Sequence, residues 1–148
     1  MIINLKKLND KAIIPTQGHK ADAGYDLYAC IDIPEFVLPG ETVKIPTGVA
    51  VEIPEGYFGA VFARSGLATK QGLRPANCVG VIDAPYRGEI MVALHNDSKM
   101  SQKVSYGDRV AQLSILPVMN VEFNTVDELS DTDRGAGGFG STGTNQTK

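Results

Sequence analysis

The sequence predicts an all-β protein built as a sandwich or a barrel of short strands. Short apolar or alternating runs recur along the chain, and turns containing Pro or Gly separate them. Such spacing is typical of β-sandwiches and barrels. No stretch carries the long 3.6-residue periodicity of an amphipathic helix. The 148 residues fit one domain and are enough to bury a core.

Composition and charge exclude several functional classes. The chain is 43% hydrophobic with a net charge of −3, a globular rather than a disordered composition. This acidic balance argues against a general nucleic-acid binder, which needs a basic face. Cys30 and Cys78 lack metal-ligand spacing, and we expect two buried, reduced thiols in a cytoplasmic protein. No segment has the pattern of a signal peptide or of a membrane span.

The first half of the chain contains five candidate strands. The second of them carries Asp26, and an acid is usually unwelcome inside a strand. Asp26 is therefore either an outward-facing carboxylate on a sheet edge or a carboxylate aimed at a metal-bound ligand. The five runs are Met1–Leu8, Tyr25–Ala29, Thr42–Ile45, Val49–Ile53 and Tyr57–Phe62.

One short helix is predicted after the fifth strand. Leu67–Gln71 can form one or two turns, with Ser65 as the N-cap and Gly72 as the stop. Backbone N–H groups at the helix start suit a phosphate, and Arg64 beside them adds a fork of donors. The plainer alternative is a capped turn with a solvated arginine.

The stretch from Gly80 to Met91 organises the second half. An apolar run ends at Asp83, a Pro-containing turn leads to Tyr86, and a second apolar run starts at Ile90. This pattern predicts a hairpin with a carboxylate and an aromatic ring three residues apart at its bend. Such a carboxylate can act as a general base, and the ring can support a flat or sugar-like ligand. Alternatively, the aspartate caps its own turn and the tyrosine packs on a barrel end.

Polar residues flank this stretch on both sides. Asn77 can offer a donor and an acceptor to a base edge, or it can bond its own backbone in a turn. Gln112 lies among apolar residues of the predicted strand Val110–Leu116 and should have a hydrogen-bond partner. Arg134 and Phe139 stand in a glycine-rich tail, which suggests an arm that closes over an aromatic anion rather than a plain linker.

Five segments together resemble the motifs of the trimeric dUTP pyrophosphatase family, the dUTPases. They occur in the family's order and at compatible spacing over most of the chain. Two departures are small: Ala63 stands where a proline is usual, and Pro85 stands where an acid is frequent. The segments are Ala23–Leu27, Arg64–Ala68, Gly80–Glu89, Gly107–Gln112 and Arg134–Gly143.

The resemblance implies a fold, an assembly and an activity. It implies a jelly-roll-like β-barrel over residues 1–132 with one short helix, and a flexible Gly-rich arm, residues 133–148, that closes a neighbouring active site. Three such chains would form a homotrimer with shared sites and no nucleic-acid or membrane partner. The implied reaction is Mg²⁺-dependent hydrolysis of dUTP to dUMP and pyrophosphate, which keeps uracil out of DNA and supplies dUMP for dTMP synthesis.

The resemblance also implies residue roles. Asp83 would orient or deprotonate the attacking water, Tyr86 would lie under the deoxyribose, and Asp26 would contact the water shell of the metal. The uracil and sugar would be held by Asn77, Val81, Ile82, Asp83 and Met91. The phosphates would be held by Arg64, Ser65, Gly66 and Gln112. The arm would close the site with Arg134, Phe139, Gly140, Ser141 and Thr142.

Two alternatives stay open at this point. The related dCTP deaminases use a similar barrel for different chemistry, but they need a glutamate proton shuttle near the base, and none is placed where Asn77 would meet uracil. Some phage-encoded dUTPases also act as regulatory partners of other proteins. The presence of Asp26, Asp83 and Arg134 favours retained catalysis.

Overall fold

A computed structural model describes residues 1–138, and the predicted all-β class is confirmed there. These residues form eleven short strands and one helix. The elements in chain order are β1 (Asn4–Lys7), β2 (Tyr25–Tyr28), β3 (Glu35–Val37), β4 (Thr42–Pro46), β5 (Val49–Glu52), β6 (Tyr57–Phe62), α1 (Ser65–Gln71), β7 (Leu73–Pro75), β8 (Val79–Ile82), β9 (Met91–Asn96), β10 (Gln102–Val104) and β11 (Arg109–Pro117).

The strands form antiparallel ladders between distant parts of the chain. The largest sheet has the order β2-β11-β6-β8, and a second sheet has the order β4-β9-β7. Two further ladders pair β1 with β5 and β3 with β10. Within residues 1–138 these ladders do not join into one closed barrel. The long β11 strand, at the centre of the largest sheet, is the element that brings β2 and β6 together.

Aliphatic side chains from the sheets form the core. Leu27, Ile45, Ile90 and Leu94 are each completely buried, and burial of such a side chain stabilises the fold by roughly 1.5–3 kcal/mol. Asn96 is buried among them, and its side-chain amide donates to the Val37 and Met100 carbonyls at 2.8 Å. The buried polar group is therefore satisfied rather than destabilising.

Helix α1 begins at Ser65, one residue before the first helical position that an N-cap at Ser65 would give. Ser65 is the first helical residue, and Arg64 occupies the N-cap position with φ −82° and ψ 127°. The prediction that Ser65 caps the helix is wrong, because its backbone is already helical. The predicted stop is confirmed: Gly72 adopts φ +70°, in the left-handed region that favours glycine.

The predicted hairpin around Gly80–Met91 is wrong. Strand β8 pairs with β6, whereas β9 pairs with β4 and β7, so the two runs belong to different sheets. The segment between them, residues 83–90, crosses from one sheet to the other, and the N–H of Ile90 donates to the Val49 carbonyl at 2.9 Å. We call this segment the crossing loop. The pattern of two strands around a turn was present, but it does not specify the partner of either strand.

The expectation of two buried thiols holds for only one cysteine. Cys30 is buried, and burial raises the pKa of its thiol above the ordinary value. Cys78 is exposed, and its φ of +62° places it in the left-handed region inside a tight turn. The turn holds its side chain outside the sheet although the sequence around it is apolar.

The chain leaves the sheets well before the predicted start of the arm. Strand β11 ends at Pro117, and the N–H of Val118 donates to the Gly56 carbonyl at 2.9 Å. Residues 119–132 form neither helix nor strand and are exposed. The predicted boundary between barrel and arm at residue 132 therefore remains a prediction, because no helix or strand begins or ends there. The structure has, over residues 1–138, no helix long and apolar enough to cross a lipid bilayer.

Candidate active site

Two polar side chains face each other across β2 and β11. Asp26 and Gln112 are direct cross-strand partners. The side-chain amide of Gln112 donates to the Ala63 carbonyl at 2.8 Å, so the predicted need for a partner is confirmed. A Cβ at Gly24 would collide with the Gln112 side chain. A glycine is therefore required at position 24 for this amide to lie where it does.

Asp26 is the centre of an ion cluster with two arginines. Its Oδ1 accepts from Arg64 Nε at 2.7 Å, and its Oδ2 accepts from Arg109 Nη1 at 3.2 Å. The Asp26 side chain is only 14% exposed, compared with 27% for Arg64 and 51% for Arg109. Asp26 is thus neither a solvated edge carboxylate nor an unpaired one. We call these three residues the Asp26 cluster.

A β-bulge explains how Arg109 reaches this cluster. Along β11, Ala111 faces Leu27 and Gln112 faces Asp26, but the register shifts so that Arg109 pairs with Tyr28. Without the shift, residues 109 and 112 would lie on opposite faces of the strand, because side chains alternate. The bulge re-aims the arginine toward the face of Gln112. Arg109 lies in the motif-like segment Gly107–Gln112, but it was not among the predicted site residues.

An open groove of about 500 Å³ runs along this polar face. It is lined by the four residues predicted to hold phosphates and by Asp26. Arg109 and His19 also line it, although neither was predicted to belong to the site. The four predicted residues are Arg64, Ser65, Gly66 and Gln112.

The crossing loop presents Asp83 to solvent. The carboxylate of Asp83 makes no hydrogen bond with any residue in the described part of the chain, while its carbonyl accepts from the Tyr86 N–H at 3.0 Å. The alternative of an aspartate whose side chain caps its own turn is therefore not observed. An exposed carboxylate on a bonded turn can accept a proton from a water.

Four hydrogen bonds hold the crossing loop in place. Arg87 Nη1 donates to the carbonyls of Ala84 at 2.5 Å and Tyr86 at 3.0 Å. The hydroxyl of Tyr86 donates to the Glu89 carbonyl at 2.9 Å, and a Cβ at Gly88 would collide with the Tyr86 ring. Glu89 Oε1 accepts from the Gly48 N–H at 2.7 Å. The ring and the Asp83 backbone are thereby held in one arrangement.

Most of the predicted base-binding residues lie on β8 or within two residues of its ends, whereas Met91 is the first residue of β9 in the other sheet. Asn77 is exposed, and no residue within 1–138 hydrogen-bonds its side-chain amide, so that amide is not occupied by the turn. Val81 is 60% exposed and Met91 46%. Ile82 is half-buried and packs against the core. A Cβ at Gly80 would lie 3.1 Å from the Val61 side chain and at ordinary contact distance, 3.5 Å, from Asn77 Nδ2.

One chain does not bring the groove and Asp83 together. In the order β2-β11-β6-β8, Asp26 lies on one edge strand and Asp83 follows the other edge strand. Three strand spacings separate these edges by about 14 Å. Asp26 pairs with Gln112, Gln112 with Phe62, and Phe62 with Val79, so Val79 is the position on β8 that lies level with Asp26. Asp83 lies four residues further along the chain, which adds about 13 Å in the strand direction. The two halves of the predicted site therefore face different places on the surface.

The arm is described only as far as residue 138. Arg134 Nε donates to the Gly137 carbonyl at 3.0 Å within a local turn. Gly135 has a φ of +50°, and its N–H donates to the Thr132 carbonyl at 3.0 Å. Phe139, Gly140, Ser141 and Thr142, predicted to close the site, lie outside the described residues.

Together, the fold and the groove define a class of protein: an all-β protein with an arginine-lined groove and a separate, exposed aspartate. The dUTPase family model matches residues 10–143. The chain belongs to the dUTPase family.

Relatives and solved structures agree with this assignment. The chain is 53% identical to the deoxyuridine 5'-triphosphate nucleotidohydrolase of Desulfitobacterium hafniense over 131 residues, 88% of this chain and 87% of that protein. It is 48% identical to the protein of the same name from Nautilia profundicola, over 97% of this chain and 99% of that one. The structure of the Staphylococcus bacteriophage 80alpha dUTPase with dUPNHPP superposes with a TM-score of 0.87 at 34% identity, covering 96% of this chain and 98% of that chain.

Proposed function

We propose that this chain is a dUTP diphosphatase, which hydrolyses dUTP to dUMP and pyrophosphate in a groove built around the Asp26 cluster. The observation that carries the proposal is the grouping of Arg64, Ser65, Gly66 and Gln112 along one groove in a chain of this family. The reaction keeps uracil out of DNA and supplies dUMP for dTMP synthesis. The proposal includes a cytoplasmic location, where deoxynucleotide pools are turned over.

The proposed activity is tested by substrate comparison. Purified protein is mixed in turn with each deoxynucleoside triphosphate, with UTP and with Mg²⁺, and pyrophosphate release is measured. We expect dUTP to be hydrolysed and the others to be poor substrates. Release of ammonia from dCTP instead of pyrophosphate from dUTP would assign the chain to the deaminases.

The groove supplies the cations that a triphosphate needs. The whole chain carries a net charge of −3, so a polyanionic substrate depends on locally placed positive charge. Arg64 and Arg109 provide two guanidinium groups, and Asp26 neutralises only one of them. The leaving pyrophosphate needs charge stabilisation more than proton donation, and fixed donors provide it.

A magnesium ion completes the proposed neutralisation. Over residues 1–138 no group of three or more His, Cys, Asp or Glu side chains could form a dedicated metal cage. This fits Mg²⁺, which is commonly held by substrate phosphates, waters and one or two carboxylates. We assign the carboxylate to Asp26, acting through the waters of the ion. The bound ion would screen the phosphate charges against the incoming water.

Asp83 is the proposed base for that water. Its exposed carboxylate lies on a turn fixed by Arg87 and by the Tyr86 hydroxyl, so it has little conformational freedom. A base that is fixed before the substrate binds avoids reorganisation during the reaction. The main chain of Val81 and Ile82 and the side chains of Asn77 and Met91 are the proposed contacts with uracil and sugar.

Tyr86 is the proposed determinant of sugar specificity. Its ring stands on Gly88 where it can exclude a 2′-hydroxyl. We expect Tyr86→Ala to lower the dUTP over UTP preference by at least about 10-fold, because a steric wall is removed. Discrimination against dTTP should persist, since the backbone of β8 excludes the thymine methyl group. The measurement is kcat/KM for the three nucleotides.

Tyr86→Phe is the matched control for that experiment. It keeps the ring and removes only the hydrogen bond to the Glu89 carbonyl. Rejection of UTP should survive this change. If Tyr86→Ala rejects UTP as strongly as the original protein, then the ring does not exclude the 2′-hydroxyl.

We further propose that the active sites are shared within a homotrimer. The separation between the Asp26 cluster and Asp83 in one chain supports this, because a single dUTP needs both halves. The exposed segment after β11 also supports it: Met119, Phe123 and Leu129 are 82%, 92% and 87% exposed. Large apolar side chains clustered in one segment are typical of surfaces that pack on another chain.

Complementation between inactive chains tests the shared site. Asp83→Asn and Arg64→Gln chains should each be inactive alone and have the mass of three 15.8 kDa chains by light scattering. Mixed trimers formed by unfolding and refolding the two together should regain about a quarter of the original activity. The reason is that a random site takes both intact residues, from two different chains, about one time in four. Absence of any recovery in verified mixed trimers would mean that each chain builds its own site.

A further inference from the structure

The Asp26 cluster contains Arg109, which has so far been considered only as a positive charge beside the groove. We propose that Arg109 is a positioning residue: it holds Asp26, and Asp26 in turn holds Arg64 in the orientation that binds phosphate. This inference rests on the proposed function, since it takes the groove to be the phosphate site. Asp26 then has an organising role toward the protein in addition to any contact with the waters of a metal.

The exposure of the three side chains indicates which of them is the anchor. Asp26 is the least exposed, at 14%, and both of its oxygens accept from guanidinium groups. Exposed ion pairs contribute little, because water and side-chain entropy compete with them. A partly buried carboxylate with two donors is different, since each bond limits the positions of the others. Removing one arginine therefore loosens the carboxylate and, through it, the other arginine.

The atoms used by Arg64 fit a positioned phosphate ligand. Asp26 engages Nε, the inner nitrogen, at 2.7 Å. The two outer nitrogens of Arg64 make no hydrogen bond with a residue between 1 and 138. A guanidinium held at Nε presents its outer edge as a fork, the geometry that pairs with two phosphate oxygens. Fixing this fork before binding lowers the entropy lost when the substrate arrives.

The β-bulge is the feature of the backbone that allows Arg109 to hold Asp26. It displaces position 109 from the regular alternation and directs its side chain to Asp26 rather than to the opposite face of β11. A bulge disturbs a regular ladder, and such features are frequent beside functional sites. Arg109 also lines the groove itself, so a direct contact with phosphate is the competing explanation. The experiment must separate action through Asp26 from direct binding.

A double-mutant cycle makes that separation. The probe is inorganic tripolyphosphate, titrated calorimetrically into the full-length protein without metal. The proteins are the original, Arg109→Gln, Arg109→Lys, Asp26→Asn and the double variant Asp26→Asn/Arg109→Gln. The matched control is Asp32→Asn, which removes a carboxylate from an ion pair with Lys11 outside the groove.

We expect Arg109→Gln to weaken tripolyphosphate binding by about 10-fold, in the range of a charge-assisted hydrogen bond. Lysine at position 109 should restore most of this, because an ammonium can still donate to Asp26. In the Asp26→Asn background, Arg109→Gln should add less than about 2-fold, because residues that act as one network are not additive. With dUTP, the loss in Arg109→Gln should be carried by KM, since phosphate contacts are made before and during the reaction. Asp32→Asn should match the original protein.

An additive loss in the double variant would overturn the proposal, because Arg109 would then act on phosphate without Asp26. Unchanged binding in Arg109→Gln, or a lysine variant as weak as the glutamine one, would also overturn it. If Arg109→Gln does not fold, Arg109→Met, which keeps the aliphatic stem but removes the charged donor, replaces it in the cycle with the same criterion of additivity. The expected pattern without dUTP turnover would contradict the proposed function alone, whereas turnover with an additive pattern would contradict only the role of Arg109.

Discussion

Asp83→Asn is expected to fold and trimerise but to lose kcat by about 10²–10⁴-fold, the usual effect of removing a general base. The amide has nearly the shape of the carboxylate but cannot accept the proton of the attacking water. Because the Asp83 side chain makes no hydrogen bond within residues 1–138, its replacement leaves the crossing loop intact. Pyrophosphate release under single-turnover conditions measures the chemical step directly.

Two measurements accompany this variant. The thermal midpoint and the oligomer mass should match those of the original protein, because Asp83 is exposed. Affinity for dUTP should change little, since the proposed phosphate contacts lie in a different part of the chain. A folded trimer with near-normal kcat would show that another group activates the water.

Deleting residues 134–148 is expected to lower kcat with dUTP by about 100-fold, since it removes a stacking ring and a cation from the proposed site. Arg134 and Phe139 are the ligand-like residues of this segment. The fold should survive because the strands end at Pro117 and Asp133 is exposed. Turnover, thermal unfolding and light scattering are compared for the truncated and full-length proteins.

Point variants in the arm distinguish its two contacts. Arg134→Gln should weaken dUTP more than dUMP, because its partner is the triphosphate. Phe139→Ala should affect both, because uracil is common to them. Glycines lose the most backbone freedom on ordering, so the ligand must offset that loss. Full kcat in the truncated protein would show that the arm is a passive linker.

Several elements of the fold were readable from local sequence. Strand β6, Tyr57–Phe62, has the predicted bounds, and Gly72 ends the helix as expected from its backbone freedom. Strands β3, β7 and β10 were missed because each has three residues, too few for alternation to be visible. Local patterns identify a strand when it is long enough to repeat its period.

Pairing was not readable in the same way. The segments on either side of Asp83 had the hairpin pattern, yet β8 and β9 take their partners from distant parts of the chain. The same limit applies to Arg109, because regular alternation along β11 would place its side chain on the face of the strand away from Gln112. Its position depends on a bulge that forms only when β2 is present. The residues predicted to hold phosphates do line one groove. Asp83 lies apart from it because of the order of the strands in the sheet, and local sequence patterns do not specify that order.

The pairing of β2 with β11 also sets the time at which the groove can form during synthesis. About 80 residues separate the two strands along the chain, so at typical translation rates the ribosome needs roughly 4–16 s to deliver the second after the first. Asp26 is made before this interval and Arg64 partway through it, but Arg109 and Gln112 are made only at its end. The nascent chain therefore carries a strand with an unpaired edge, and closing such non-local ladders is intrinsically slow. Anion binding should appear among the last native properties, only after β11 has emerged and docked.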